Sequence, residues 1–559
     1  MTLKKRYLIT SALPYINGIK HLGNLIGSML PADVYARFLR QSGEEVLFVC
    51  GTDEHGTPAE IAADEAGKDI ETYCKDMYET QKSIYEKFQL SFDTFGRSSD
   101  EKNHILTREI FLALQKNGLI EEKDIQQYYS KKDGRFLPDR YVMGECPKCG
   151  FQKARGDQCD GCGSLLDPTD LIHPYSSISL DKDLELRSSK HFFVKLEEMQ
   201  DKVEKFVEDR PQWNAMTKGI AKKWLKEGLR NRCISRDLKW GIPIPGHEDK
   251  VFYVWFDAPN AYIAMTDDVE MWWKDGNVTY TQFMAKDNVP FHAVFWPGVL
   301  MGANQNWHLV DQLKSFGWLN YDGGKFSTSG KRGVFLDQAL ALYPSDYWRY
   351  YLLANIPETD DANFSFAHFA EIVNKDLADV LGNLINRVGT LVHKYFDGRI
   401  PVHRHPDLTS RHPEAQPKDL PETGSEGSFA TFRLLAQDYK SALKNLQFRQ
   451  AMQTLRKLWN FGNEFIAKNE PWALMKSDPQ KGEAVLSQAL YMIYQYAILS
   501  KPIIPDTSNR IMEMLGLPLE FDFDQELTIE NWNIQKPEPL FKKVSDEDVE
   551  KHAQFFSGL

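Results

Sequence analysis

The stretch RYLITSALPYINGIKHLGNLIG, residues 6–27, decides the fold. Its first eight residues read as a strand, Pro14 and Gly18 break it, and a helix-period apolar run follows His21 and Gly23. Such a junction leaves unpaired N–H groups and the positive end of the helix dipole facing the turn, a favourable place for an anion. Gly18 and Gly23 let a bulky ligand approach the backbone, while His21 and Asn24 offer hydrogen-bonding side chains. On this stretch alone a purely structural turn fits equally well. No G-x-G-x-x-G follows the strand. GGKFST (323–328) is no P-loop either, because Leu319 holds the required glycine position and Phe326 follows Lys325.

Outward from that junction, NLIGSMLPADVYARFLRQSG (24–43) reads as a helix ended by Gly43, with a kink expected at Pro31. EVLFVCG (45–51) is an unbroken apolar strand, the mark of a parallel sheet buried on both faces. From about residue 120 the composition turns to Gly, Asp, Lys and Cys. Strand and helix alternation returns near 250 with VFYVWFDAPNAY (251–262) and VPFHAVFWPGVLMG (289–302). The fold class is therefore α/β: a Rossmann-like parallel sheet in two halves around an insertion, followed by an α-helical bundle. The expected limits are 1–117 and 231–320 for the sheet halves and 118–230 for the insertion. A linking loop region then takes 321–355 and the helical domain 356–559. At 559 residues, three or more domains are expected. A Pro- and His-rich stretch, 401–428, reads as a mobile loop between helices.

The net charge of −12 argues against wholesale nucleic-acid binding but leaves room for a local basic surface. TKGIAKKWLKEGLRNRCISRDLKW (217–240) is such a stretch on paper; a solvated helix face explains it as well. The basic N-terminus lacks an apolar core and cleavage site, and no apolar run is long enough to span a bilayer. A soluble intracellular (cytoplasmic) protein is expected.

Four of the seven cysteines cluster as Cys146-x2-Cys149-x9-Cys159-x2-Cys162, with Gly150 and Gly163 after each pair. Two C-x2-C pairs at this separation supply four thiolates for a closed tetrahedral site, and zinc in a structural role is the expected ion. Iron is the alternative metal. A redox C-x-x-C pair would leave the second pair unexplained.

Read together, HLGN (21–24) and KFSTS (325–329) resemble the paired H-I-G-H and K-M-S-K-S motifs of class I aminoacyl-tRNA synthetases. ALPYINGIKHLGN, GTDEHGTP, VWFDAPNAY, KDNVPFHAVFWP and NEPWALMK narrow the resemblance to the methionyl-tRNA synthetase family, from residue 4 to about 545. The resemblance implies ATP-dependent activation of L-methionine and its transfer to methionine tRNA. His21 and Lys325 would stabilise the triphosphate, with Gly23, Asn24, Thr328 and Lys331 beside the nucleotide, Asp287 on the ribose, and Mg²⁺ accompanying ATP. Leu13, Tyr15, Trp255, Tyr262, Phe291, His292 and Trp296 would wall the methionine pocket, and Asp53 would pair with the α-ammonium. Aromatic and apolar walls suit a polarizable thioether. One methyl is worth only about 1–3 kcal/mol in such a pocket, so homocysteine is the expected misfit, cyclised to its thiolactone. Asn383 and Arg387, spaced i, i+4 on one helix face, and Trp472 would read the CAU anticodon.

Three residues depart from the family pattern: Asn24 and Thr328 replace the second histidine and the second lysine, and Ala285 stands where glycine is common. Lys331 or Arg332 is the expected substitute for the missing cation. The chain ends at Leu559 without room for the C-terminal appendage that dimerises some members, so a monomer is expected. Leucine, isoleucine, valine or cysteine as the amino acid, and a non-catalytic RNA-binding derivative, are the competing readings.

Overall fold

A computed structural model describes the chain except residues 1–4, 158, 160, 163, 165, 322, 327, 329–331, 403–425, 524–526 and 558–559. The first strand, β1 (Arg6–Ser11), leads through the glycine-bearing turn into a continuous helical run. Its first residues pass through a π-helical turn, Leu25–Met29, before α1 (Leu30–Gln41). Pro31 falls in the first turn of α1, just after that wide turn, where a residue lacking N–H is tolerated. β2 (Glu45–Thr52) and β3 (Thr94–Arg97) complete the first half.

The insertion is built on an eleven-residue antiparallel ladder between β4 (Ile120–Ser130) and β5 (Leu184–Val194). Arg232–Cys233 adds a short strand to the other edge of β5. The chain then returns to the main sheet with β6 (Val278–Ala285) and β7 (Gln312–Phe316).

The main sheet has the order β7-β6-β1-β2-β3 and is parallel throughout, with Thr10 opposite both Gln282 and Val49. Strand order reverses at β1. In an open α/β sheet, ligands bind beyond the carboxyl ends of the strands at that switch point. The turns following β1, β2 and β6 meet there, carrying His21, Asp53 and Asp287 respectively.

From Phe366 onward, helices dominate, including Asn383–Phe396, Glu426–Lys444, Phe448–Asn469 and Pro479–Ser500. They share one apolar core with the sheet: the Phe448 ring lies 6.2 Å from Phe283 of β6 and 6.0 Å from Phe316 of β7. Residues 403–425, most of the stretch read as a mobile loop, lie outside the described residues.

In the basic stretch, helix Ala215–Lys226 buries Thr217, Ala221 and Leu225 and exposes Lys222, Lys223 and Lys226, a solvated face. Further along, half-buried Arg236 forms an ion pair with Asp139 at 2.8 Å.

Candidate active site

His21 caps the helical run. Its Nδ1 accepts the backbone N–H of Asn24 at 3.3 Å, and the Asn24 Oδ1 accepts the backbone N–H of His21 at 3.2 Å. This reciprocal pair is a capping box, with imidazole and amide in place of the usual hydroxyl and carboxylate. Because Nδ1 is an acceptor, the proton of the neutral ring sits on Nε2, leaving that N–H as a donor. The ring is neutral: burial, helped by Lys20, pulls its pKa down to about 3. Gly23 makes room for it, since a Cβ there would stand 3.1 Å from Nδ1 and 3.2 Å from Cε1.

The segment around KFSTS packs onto this cap. Phe326 lies 5.0 Å from the His21 ring, Leu22 N–H donates to the Val334 carbonyl at 3.1 Å, and Leu336 N–H donates to the Lys20 carbonyl at 2.8 Å. Gly18 has φ +135°, and its missing Cβ would sit 3.5 Å from Thr328 Cγ2. The two motifs therefore form one wall of a cleft of about 360 Å³ at the sheet's switch point. Lys331 and the Lys325 side chain lie outside the described residues. Arg332 does not line the cleft; its guanidinium donates to the Tyr321 carbonyl at 3.0 Å.

At the end of β2, Asp53 is buried facing the cleft, and its Oδ1 has no hydrogen-bond partner among the described residues. Burial raises its carboxyl well above the carboxylate range, and the neighbouring Asp257 and Glu54 raise it further. A buried, unpaired carboxylate is costly, so the site favours a cation. Leu13, Tyr15, Trp255, Tyr262 and His292 line the same cleft. His292 donates Nδ1–H to the Asn288 carbonyl at 3.2 Å and is held neutral by burial, at about 4. Its tautomer is thus opposite to that of His21.

Phe291 and Trp296 stand one layer back. Phe291 stacks on Trp255 with centroids 3.8 Å apart and 11° between planes. Trp296 is buried 6.0 Å from Tyr262, donating its indole N–H to Asn260 Oδ1 at 3.0 Å. Of the residues expected beside the nucleotide, Gly23, Asn24, Asp287 and Thr328 line the cleft. Asp287 Oδ1 accepts the Trp318 indole N–H at 3.2 Å. The Ala285 methyl lies against Gly27, within ordinary contact of where a Cβ there would stand.

Among the lining residues that the sequence did not assign to the cleft are Lys20 and Arg140, and Cys159, expected only as a metal ligand, lines it too. Lys20 adjoins His21 and was open to notice. Arg140 and Cys159 reach the cleft from the insertion, which no local pattern announces.

The sulfur atoms of Cys146, Cys149, Cys159 and Cys162 all lie within 4.8 Å of one another, with Cys146 to Cys162 at 4.0 Å and Cys149 to Cys159 at 3.6 Å. Thiolates around a tetrahedral zinc stand about 3.8 Å apart, whereas a disulfide bond is about 2.0 Å long. The donor set is soft, closed and without an open position, so it fits a structural metal and in particular zinc. Cys159 touches the cleft, which places this knuckle at the active-site border.

In the helical part, the Arg387 guanidinium lies 4.5 Å over the Trp472 ring. Asn383, exposed, precedes Arg387 by one turn. The three anticodon candidates thus occupy one corner of the bundle.

Residues 7–389 match the family model described as tRNA synthetases class I (M), and residues 422–559 match the anticodon binding domain of methionyl tRNA ligase. The chain belongs to the methionyl-type class I tRNA synthetases. Similar members include methionine–tRNA ligase 1 of Acaryochloris marina (strain MBIC 11017), 48% identical across 98% of this chain and 99% of that protein. The methionine–tRNA ligase of Streptomyces avermitilis is 46% identical across 99% of each. Among solved structures, Mycobacterium tuberculosis methionyl-tRNA synthetase in complex with methionyl-adenylate superposes with a TM-score of 0.77. It is 24% identical, covering 96% of this chain and 99% of that one, which establishes the shared synthetase fold.

Proposed function

We infer that the protein is a methionine–tRNA ligase that joins L-methionine to AMP and passes the methionyl group to the 3′ end of initiator and elongator methionine tRNA. The observation that carries this reading is Asp53: a buried carboxylate oxygen without a partner among the described residues, facing a cleft walled by Tyr15, Trp255 and Tyr262. An α-ammonium satisfies that oxygen, and the aromatic walls accept the thioether chain.

In the activation step a methionine carboxylate oxygen bonds to the α-phosphorus, and the bond from that phosphorus to pyrophosphate breaks, its electron pair leaving with pyrophosphate. No proton moves. The work is therefore positioning and charge neutralisation. The His21 Nε2–H is a neutral donor at the head of a helix, suited to hold a phosphate oxygen. Asp287 serves the ribose, Lys325 and Thr328 bring the KFSTS segment to the phosphates, and ATP enters as its Mg²⁺ complex. Cys146, Cys149, Cys159 and Cys162 hold zinc, which braces the insertion at the cleft border.

Arg387, Asn383 and Trp472 read the CAU anticodon by stacking and base-edge hydrogen bonds. Homocysteine, one methyl short, enters the same pocket and is removed as its thiolactone.

The test is charging of tRNA transcripts with labelled methionine. A CAU anticodon should support charging, and replacing it in the same body should lower kcat/KM by at least about 100-fold, the worth of a few lost base contacts. Equal charging of both transcripts would overturn the anticodon assignment.

A further inference from the structure

A triphosphate and a carboxylate must enter this cleft together, and both are anionic. The described residues lining it supply two cationic side chains, Lys20 and Arg140. Arg140 is engaged in an ion pair with Asp157 at 2.8 Å. The two lining histidines, His21 and His292, are held neutral by burial. Lys20 is different. It is 3% exposed and donates to the neutral amide oxygen of Asn17 at 2.8 Å. It lines the same cleft as Asp53 and as its chain neighbour His21, the residues read as the amino-acid and phosphate ends. Lys20 therefore opens onto the cleft in which the carboxylate and the α-phosphoryl group meet.

Resting on the ligase reading, we propose that Lys20 is a further catalytic residue, its ammonium contacting the methionine carboxylate and the α-phosphoryl oxygens as they join. The charge to be stabilised grows as the carboxylate oxygen bonds to phosphorus and the pyrophosphate oxygen departs with its electron pair. A fixed cation in a desolvated cleft is worth most at that moment. Burial pulls the Lys20 ammonium down to about 7, with Asp53 opposing. The arriving anions restore its proton affinity. The site thus carries a cation that is weakly held when empty and firmly charged when loaded.

The experiment compares the full-length protein with Lys20→Gln, which keeps a hydrogen-bond donor but carries no charge, and Lys20→Arg, which keeps the charge. Methionine-dependent exchange of labelled pyrophosphate into ATP reads kcat and KM, and methionine titration of tryptophan fluorescence reports the ground state. Lys20→Gln should lower kcat by about 100-fold, with the methionine KM and fluorescence titration within about threefold of the parent, and Lys20→Arg should recover at least about tenfold of the loss. A Lys20→Gln kcat within about threefold of the parent, or a loss lying wholly in the methionine KM, overturns the proposal. Should Lys20→Gln lose its cooperative unfolding transition, Lys20→Met is held to the same thresholds. If the parent protein shows no exchange, the ligase reading falls and this proposal with it. Exchange in the parent with an unimpaired Lys20→Gln sinks the proposal alone.

Discussion

Arg349 and Asp33 meet at 2.6 Å with both side chains fully buried. Asp33 belongs to α1, which continues the helical run capped by His21. The same guanidinium also donates to the carbonyls of Phe88, Pro502 and Ile503 at 3.0, 2.9 and 2.9 Å. One side chain thus ties the catalytic sheet's first helix to the bundle. Removing one partner of a buried pair leaves an uncompensated charge, so Arg349→Leu should cost about 3–5 kcal/mol in urea unfolding. An unchanged urea midpoint would refute that cost.

Asp33 also predicts acid behaviour. Burial raises its carboxyl, but Arg37, Arg349 and hydrogen bonds from Ser91 outweigh that and hold it at about 2. A carboxyl depressed in the folded state contributes stability that is present above its unfolded value and lost as pH falls through the folded one. The window is therefore pH 4 down to 2, and the contribution is on the order of 2 kcal/mol. Urea midpoints measured across that window should fall less steeply in Asp33→Asn than in the parent.

The placement of the His21 ring depends on Gly23. In Gly23→Ala the new methyl would press on the His21 ring at 3.1 Å and displace it. Pyrophosphate exchange should fall by about 10- to 100-fold through lost positioning, while the thermal midpoint moves little. Full activity in Gly23→Ala would show that the ring's place is not critical.

Asp53→Asn keeps the shape and removes the charge. Loss of a charge-assisted hydrogen bond to the α-ammonium is worth about 1.5–3 kcal/mol, so the methionine KM should rise by roughly 10- to 150-fold. The ATP KM should stay close to the parent's. A rise in the ATP KM alone would place Asp53 at the wrong end of the cleft.

Zinc removal separates structure from chemistry. A metal assay should find one zinc per chain, and Cys149→Ser should lose it and expose the insertion to proteolysis. A fully metal-free protein with unchanged protease resistance and activity would remove the knuckle from the account.

Much of this was open to reading from the sequence. Continuous apolar strands around a glycine turn specify a buried parallel sheet, and the cysteine spacing specifies a closed site. Other features needed the fold. Phe291 and Trp296 read like wall residues but stand behind Trp255 and Tyr262, because which aromatic faces a cavity depends on packing order and not on spacing. Arg140 comes to the cleft from the insertion through its pairing with Asp157, a contact that local sequence does not announce. The full burial of Arg349 was equally hidden, since an arginine in a helix normally signals solvent. The wide turn at Leu25–Met29, just before Pro31, is a feature that the apolar period of this stretch does not announce.

The central claim is methionine activation, and the most direct measurement is pyrophosphate exchange into ATP across a panel of amino acids that includes homocysteine, leucine, isoleucine, valine and cysteine. Exchange with methionine should lie far above that with homocysteine, and the others should stay at background. No exchange with any amino acid, from a folded protein with metal bound at the four cysteines, would contradict methionine activation and leave an RNA-binding derivative as the better reading.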